Sequence, residues 1–376
     1  MPKRRSGAHD GRLAAKRLRR QHLYLVLDDC SSGYSIRKID LSSDCNSDDD
    51  AAVDCTEQWL PPAVFRLEAP RSFPEHFTTA FGTKIMALHP WESEMETPLV
   101  PKGLVPACDV RTRAVCFYPR PKGYLADPIY IPVGDGVFVL SSRSFQLLSA
   151  APRSWCKLST PPFKSRHVTS YAVHLDGRTI FVSTKRRRIA HTFSVGTAQP
   201  FTEWKCRGDW VLPFTGRTHF DPDLDAWVGL SGEPKTTGYV RALNVVSANH
   251  DDSSDGRCFP SGKLCKEKLF GGNPDERQVG ASLVYMGGGS KFCLVQCFSV
   301  CVDDEDTEEE LAARFDTTTC LMQQLNLSCV ISLRSGCKIR HFYMVSSYYC
   351  VLDVKQQSLY CVIREMAVTM RNDVIL

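Results

Sequence analysis

The sequence has 376 residues, of which 43% are hydrophobic, so it can form several domains or one large β-propeller or barrel. A net charge of +4 is too small to predict a nucleic-acid surface over the whole molecule, and no apolar run of about 18 residues predicts a membrane-spanning helix. The 17 cysteines are irregularly spaced, and the basic first twenty residues lack the apolar core of a signal peptide, so we expect reduced thiols in the nucleus or cytoplasm.

Residues 1–21 form a basic arm that we predict to be disordered. Two basic clusters about ten residues apart match a bipartite nuclear-import signal, whose clusters would bind two acidic pockets on an import carrier. A solvated tail is the main alternative, and a transit peptide fits less well because serine is scarce. The residues of the predicted signal are Lys3, Arg4, Arg5, Lys16, Arg17, Arg19 and Arg20.

Residues 22–376 are predicted to form a single domain of short strands. The segments 22–28 and 33–41 are rich in apolar, aromatic and β-branched residues around a glycine turn, and they predict a hairpin. From Pro62 to about Gly232, short apolar runs are interrupted by proline and glycine, and no helical period persists over three turns. Strands are predicted again near the C-terminus, at 329–333, 342–345, 349–354 and 359–363.

Three acidic segments interrupt this pattern. They lie near residues 42–54, 247–255 and 303–310, and their composition predicts solvated loops. The last of them could include a short helix over 308–315.

A hydrophobic unit built around a tight turn recurs along the chain. Its clearest copy is Val173–Thr184, in which an Asp-Gly turn joins two strand-like runs, and similar units occur at 133–141, 220–232 and 285–296. The central copies are spaced by about 45 residues, which is typical of four-stranded propeller blades. We therefore predict an all-β propeller of five to seven irregular blades, with a pair of sandwiches or barrels as the alternative. The apolar anchors of the units are Leu25, Ile85, Phe138, Phe181, Trp227, Phe292 and Cys350.

Two resemblances accompany this pattern. Phe220–Trp227 resembles the Tyr-Asp-Pro-x-x-Asn-x-Trp end of a kelch blade, although the double glycine of kelch repeats is irregular here. The chain more closely resembles an uncharacterised, kelch-like family of unknown function that is abundant in cereal grasses. This resemblance would cover residues 20–360, and it implies a propeller-like fold without a known activity or catalytic residue. The segments that carry it are 22–29, 33–38, 81–88, 170–184 and 212–217.

Three groups of residues have the composition of a ligand site but lack its pattern. The aspartates lack the glycine at position six and the acid at position twelve that a calcium loop needs. The cysteines lack a Cys-x-x-Cys pair and a nearby histidine for zinc, and the histidines lack a nucleophile motif. We interpret the aspartates as a turn and the cysteines as buried core thiols, and we expect no catalytic residue, cofactor or metal. The groups are Asp221, Asp223 and Asp225; Cys293, Cys297 and Cys301; and His167 and His174.

Three tryptophans could line a ligand pocket or fill the core. They are Trp155, Trp204 and Trp210. We expect them to pack between blades, because large aromatic side chains contribute most to burial there.

A run of four cations directly follows a predicted strand, at Lys185, Arg186, Arg187 and Arg188. We interpret the run as the charged tip of a hairpin. A second import signal and a contact to phosphate or an acidic peptide are the alternatives. If these residues lie on the loop face of a propeller, they are the best candidate for a binding surface.

The predicted function is that of a non-enzymatic protein-interaction scaffold with an unknown partner, because loops held by a rigid framework commonly carry binding. A propeller enzyme or carbohydrate-binding module is the alternative, and it would need convergent Asp, Glu or His side chains at the central channel. Nucleic-acid binding through the basic arm is a weaker alternative. A membrane partner is not expected.

Overall fold

The computed structural model describes residues 22–29, 33–40, 58–69, 74–89, 103–198, 203–245, 261–269, 277–287, 290–300, 318–331, 338–345, 349–353 and 368–370. The basic arm, the three acidic segments, and the strand predicted at 359–363 lie outside these residues. The described residues are organised in strands and two 3-10 turns, Ser165–His167 and Pro234–Thr236. No helix in this part of the chain is long and apolar enough to cross a membrane.

The strands follow one another along the chain from β1 to β26. They are β1 (His22–Asp28), β2 (Tyr34–Asp40), β3 (Gln58–Trp59), β4 (Ala63–Leu67), β5 (His76–Ala80), β6 (Lys84–Leu88), β7 (Leu104–Asp109), β8 (Ala114–Pro119), β9 (Ile129–Val133), β10 (Gly136–Ser141), β11 (Ser144–Ser149), β12 (Trp155–Lys157), β13 (Val168–Val173), β14 (Thr179–Arg186), β15 (Ile189–Gly196), β16 (Lys205–Gly208), β17 (Gly216–Asp221), β18 (Ala226–Leu230), β19 (Val240–Asn244), β20 (Gly262–Leu264), β21 (Arg277–Gly287), β22 (Lys291–Val300), β23 (Thr318–Ile331), β24 (Lys338–Val345), β25 (Tyr349–Asp353) and β26 (Val368–Met370).

Among the described residues, these strands form six blades, each built on four antiparallel strands. Blade 1 has the strand order β26-β1-β2-β4, and blades 2 and 3 comprise β5–β8 and β9–β12. Blades 4 and 5 comprise β13–β16 and β17–β20, and they are joined because β13 pairs in parallel with β17. Blade 6 comprises β21–β24, and it also includes β3, which pairs with β24, and β25, which pairs with β23.

The blades are arranged as a closed ring. One hydrophobic cluster lies between each consecutive pair of blades, from blades 1 and 2 through to blades 5 and 6. A further cluster packs Leu25 and Ile39 of blade 1 against Val284 and Cys293 of blade 6. Blade 1 also joins the two ends of the described chain, because β26 pairs with β1. The protein is therefore an all-β propeller, as the repeat predicted.

Six of the seven predicted anchors occupy the same position, the second strand of a blade. They are Leu25, Ile85, Phe138, Phe181, Trp227 and Phe292, in β1, β6, β10, β14, β18 and β22. The seventh anchor was wrong, since Cys350 lies in β25, which pairs with β23 inside blade 6 and begins no further blade among the described residues. An additional strand in a sheet has the same apolar pattern as a blade strand, so the sequence did not separate the two.

The three tryptophans pack at junctions between blades, as we expected. Trp155 is 3% exposed in the cluster between blades 2 and 3, and its indole nitrogen donates to the carbonyl of Pro119 over 2.7 Å. Trp204 packs on the cluster between blades 3 and 4, with its ring centroid 5.2 Å from that of Phe145. Trp210 packs on the cluster between blades 4 and 5. All three therefore contribute to the core that joins neighbouring blades.

Candidate functional site

The strand order defines two faces of the propeller. In an antiparallel blade, the turn between the second and third strands lies at the same end as the connection to the next blade. The other two turns lie at the opposite end. We call these the connection face and the opposite face. Because β13 and β17 run parallel, equivalent turns of blades 4 and 5 lie on the same face.

The four consecutive cations form the tip of the β14–β15 hairpin, as predicted, and this tip lies on the connection face. Arg186 pairs with Ile189, which leaves Arg187 and Arg188 as a two-residue turn. Arg187 has a φ of 57°, in the left-handed region where glycine and asparagine are favoured in such turns. All four cationic residues are exposed, so the hairpin presents its charge to solvent.

A second basic segment lies beside this tip. Val168 pairs with Thr184, so the 3-10 turn that precedes β13 is adjacent to the last residues of β14. This turn is preceded by Lys164 and contains Arg166, and both residues are exposed. The two segments are therefore neighbours on the connection face of blade 4, although they are about 20 residues apart in the chain.

A serine pair fixes the second basic segment to its neighbours. The backbone N–H of Ser165 donates to Ser142 Oγ over 3.1 Å, and the two hydroxyl oxygens are 2.9 Å apart. Ser165 Oγ also lies 2.9 Å from the carbonyl oxygen of Ala126. The connection between blades 3 and 4 is therefore tied to the β10–β11 turn, which contains the exposed Arg143, and to the connection between blades 2 and 3.

These cations form one surface, which we call the basic rim. None of its seven members is paired with a carboxylate within the part of the chain that the structure describes. Partial burial, followed by the positive charges of Arg166, Arg186 and Lys164, lowers the pKa of His167. Three of these cations therefore act on one imidazole. The basic rim consists of Arg143, Lys164, Arg166, Lys185, Arg186, Arg187 and Arg188.

A second polar cluster lies between the innermost strands of blades 2 and 3. His76 begins β5, and its Nε2 is 3.8 Å from Glu75 Oε1. Its ring centroid is 5.7 Å from that of Tyr130 in β9. The Tyr130 side chain is buried, and its hydroxyl has no hydrogen-bond partner among the described residues. Burial and then the charge of Glu75 raise the pKa of Tyr130, so this hydroxyl stays protonated.

A buried histidine follows the end of β6. Burial and then the positive charge of Arg120 lower the pKa of His89 to about 4, so its imidazole is neutral at pH 7. Within the described residues, no three His, Cys, Asp or Glu side chains are close enough to hold a metal ion. The sequence did not identify the cluster around Tyr130, because its members lie on two blades and no motif connects them.

The aspartates at 221, 223 and 225 form the β17–β18 turn, as predicted. Asp221 is fully buried, and its carboxylate accepts a hydrogen bond from the backbone N–H of Asp223 over 2.9 Å. Asp225 has a φ of 47°, a conformation that aspartate tolerates in turns. The carboxylates therefore shape a turn on the opposite face.

Two of the remaining site candidates are core residues. Cys293 is fully buried in the cluster between blades 6 and 1, whereas the side chains of Cys297 and Cys301 lie outside the described residues. The ring of His174 packs 5.9 Å from that of Phe181, and its Nδ1 is 3.2 Å from Asp176. Of the two histidines, His167 therefore lies at the basic rim and His174 in the core.

Comparison with known proteins identifies a family but no activity. The model of a family described as "Protein of unknown function (DUF1668)" matches residues 20–328. The chain belongs to this family. No curated protein matches this DUF1668 chain.

Two solved structures are similar to this DUF1668 protein at low identity. Kuenenia stuttgartiensis hydrazine synthase is 10% identical, with 73% of this chain and 67% of that chain covered and a TM-score of 0.34. A protein from Lactobacillus plantarum is 12% identical, with 89% and 99% covered and a TM-score of 0.45. The blade order and the ring of hydrophobic clusters, rather than these similarities, carry the description of the fold.

Proposed function

We propose that this DUF1668 protein is a non-enzymatic interaction scaffold that binds an acidic segment of a partner protein at the basic rim, in the nucleus or cytoplasm. The supporting observation is the grouping of seven exposed cations on the connection face, without a carboxylate partner among the described residues. Like charges that share one surface repel one another, and an acidic ligand would relieve this repulsion. The blades hold the loops in place, which lowers the entropic cost of binding.

The electrostatic contribution is modest for each pair and substantial for the whole surface. Two exposed unit charges about 6 Å apart in water interact by about 0.7 kcal/mol. A ligand with three or four carboxylates would therefore gain a few kcal/mol and faster association, and both effects would weaken as salt is added. We further propose that the N-terminal signal recruits a nuclear-import carrier and that the blades are kelch-like.

The test is affinity purification of the full chain from nuclear and cytosolic extracts, with partners identified by mass spectrometry. The rim variant is R186E/R187E/R188E. Its matched control is R111E/R113E/R178E on the opposite face, which changes the net charge equally and also includes one exposed arginine with a positive φ. Partners should be recovered with the wild-type and control proteins and lost with the rim variant. Recovery of the same partners by all three proteins would contradict the proposal.

One observation favours a second function, a small-ligand or enzymatic site between blades 2 and 3. The Tyr130 hydroxyl is buried without a partner among the described residues, beside the Glu75–His76 pair, and these are groups that binding and acid–base sites use. A thermal-shift screen of sugars and small organic acids would test this function. A ligand that stabilises the wild-type protein but not Tyr130→Phe would support it, whereas equal effects on both proteins would count against it.

A further inference from the structure

The basic rim is composed mainly of arginine, which distinguishes anions of different shape. Five of its seven members are arginines, and only positions 164 and 185 are lysines. A guanidinium has a planar fork of N–H donors that binds two oxygens of a phosphate or carboxylate at once, whereas a lysine acts as a point charge. The composition therefore favours a ligand with several oxygens in fixed geometry.

Two of the arginines are placed to share one anion. Arg186 is the last residue of β14. Arg166 lies in the 3-10 turn that precedes β13 and contacts β14, close to the pair formed by Val168 and Thr184. Arg166 lies two residues before Val168 and Arg186 lies two residues after Thr184, so the two long side chains start from neighbouring backbone segments on the connection face. The lowered pKa of His167 has contributions from both arginines, which agrees with this placement.

A carboxylate and a phosphate differ in the number of oxygens that can accept hydrogen bonds. A carboxylate has two oxygens and one negative charge, and a single guanidinium fork can bind both oxygens. A phosphate monoester has three free oxygens and a charge of about −1.5 to −2, so it can accept hydrogen bonds from two forks together. Two neighbouring arginines without a carboxylate partner in the described part of the chain match the second anion better.

We propose that the basic rim recognises a phosphorylated serine or threonine within an acidic protein segment, and that Arg166 and Arg186 bind the phosphate. Lys164 and Arg188 then contact carboxylates on either side. Ile189, which follows the hairpin tip and is 61% exposed, offers an apolar contact next to the phosphate. This inference rests on the proposed function, since it specifies the ligand of the same surface.

The test uses the full chain and three peptide libraries with acidic flanks, whose fixed central residue is phosphoserine, serine or glutamate. At about 0.15 M salt, we expect the wild-type protein to prefer the phosphoserine library by about tenfold or more, because charge-assisted hydrogen bonds are added. The variant R166K/R186K keeps the charge and loses the forks. It should retain binding to the glutamate library and lose most of the preference for phosphate. The control R111K/R113K should behave like the wild-type protein.

The possible failures are distinguishable. Equal binding of the phosphoserine and glutamate libraries would overturn the phosphate inference and leave the interaction surface intact. No binding of any library would contradict both proposals. If a single-stranded oligonucleotide binds more tightly than any peptide, the ligand of the basic rim is a nucleic acid and the phosphoprotein inference is wrong. As an independent readout, a phosphate at Arg166 should raise the pKa of His167, as measured by NMR titration, and an unchanged pKa would place the ligand elsewhere.

Discussion

Trp227 provides a direct test of how the blades are held together. Its side chain is fully buried between blades 4 and 5, and its ring centroid is 5.2 Å from that of Phe181. Its indole nitrogen also donates to the carbonyl of Val173 over 3.4 Å. Replacing a buried tryptophan with alanine removes the packed area and leaves a cavity, which typically costs about 3–5 kcal/mol. We expect Trp227→Ala to lower the free energy of unfolding by about 4 kcal/mol.

This loss is a large fraction of the stability of a typical domain, which is about 5–15 kcal/mol. Urea unfolding monitored by circular dichroism measures it, and Leu175→Ala serves as the control because Leu175 is 52% exposed. The control should change the free energy of unfolding by no more than about 0.5 kcal/mol. If Trp227→Ala costs less than about 1 kcal/mol, its side chain is not packed between the blades and the prediction is wrong.

Three further predictions address a buried histidine, a glycine turn and the thiols. Burial and then the charge of a nearby arginine lower the pKa of His219 to about 3, and a backbone carbonyl of blade 6 lies 2.8 Å from its Nε2. Because the folded pKa is below the unfolded value, stability is complete above about pH 6.5 and declines as the pH falls toward 3, by up to about 1.4 kcal/mol per pH unit. His219→Gln, which cannot titrate, should show a shallower decline in urea unfolding between neutral and acidic pH, and an equal decline would refute this. Gly33→Ala should destabilise far more than Gly82→Ala in thermal unfolding, because an added Cβ would overlap the backbone oxygen of Leu67 at the first site and meet nothing within 4 Å at the second. Comparable melting temperatures for the two variants would be inconsistent with the turn geometry. Burial raises the pKa of the Cys108 thiol to about 11, whereas Cys156 is exposed, so alkylation mapped by mass spectrometry should label Cys156 first. Faster labelling of Cys108 than of Cys156 would mean that the Cys108 side chain is exposed to solvent, and it would contradict the prediction.

The blade repeat was predictable because each blade repeats the same local pattern. Phe138, Phe181 and Trp227 lie on second strands, where an apolar core position recurs beside a tight turn. The error at Cys350 has the same origin, because an extra strand paired to a blade has the same apolar composition. The spacing of apolar residues in the sequence therefore locates the strands, but it does not assign each strand to a blade.

The candidate site was only partly predictable. The four consecutive cations at residues 185–188 are continuous in sequence, so the sequence predicted both the cluster and its place at a hairpin tip. Lys164, Arg166 and Arg143 join it only because the packing of blades 3 and 4 places the connection between them beside the β10–β11 and β14–β15 turns, which no local pattern encodes. The sequence did not predict the cluster around Tyr130, because only the packing of blade 2 against blade 3 brings His76 and Tyr130 together.

Partner binding at the basic rim on the connection face is tested most directly by hydrogen–deuterium exchange of the full chain, with and without its recovered partner. We predict that binding protects residues 164–167 and 185–189 and leaves residues 110–113 and 176–178 on the opposite face unchanged. Protection confined to the opposite face, with unchanged exchange at the hairpin tip, would contradict binding at the rim.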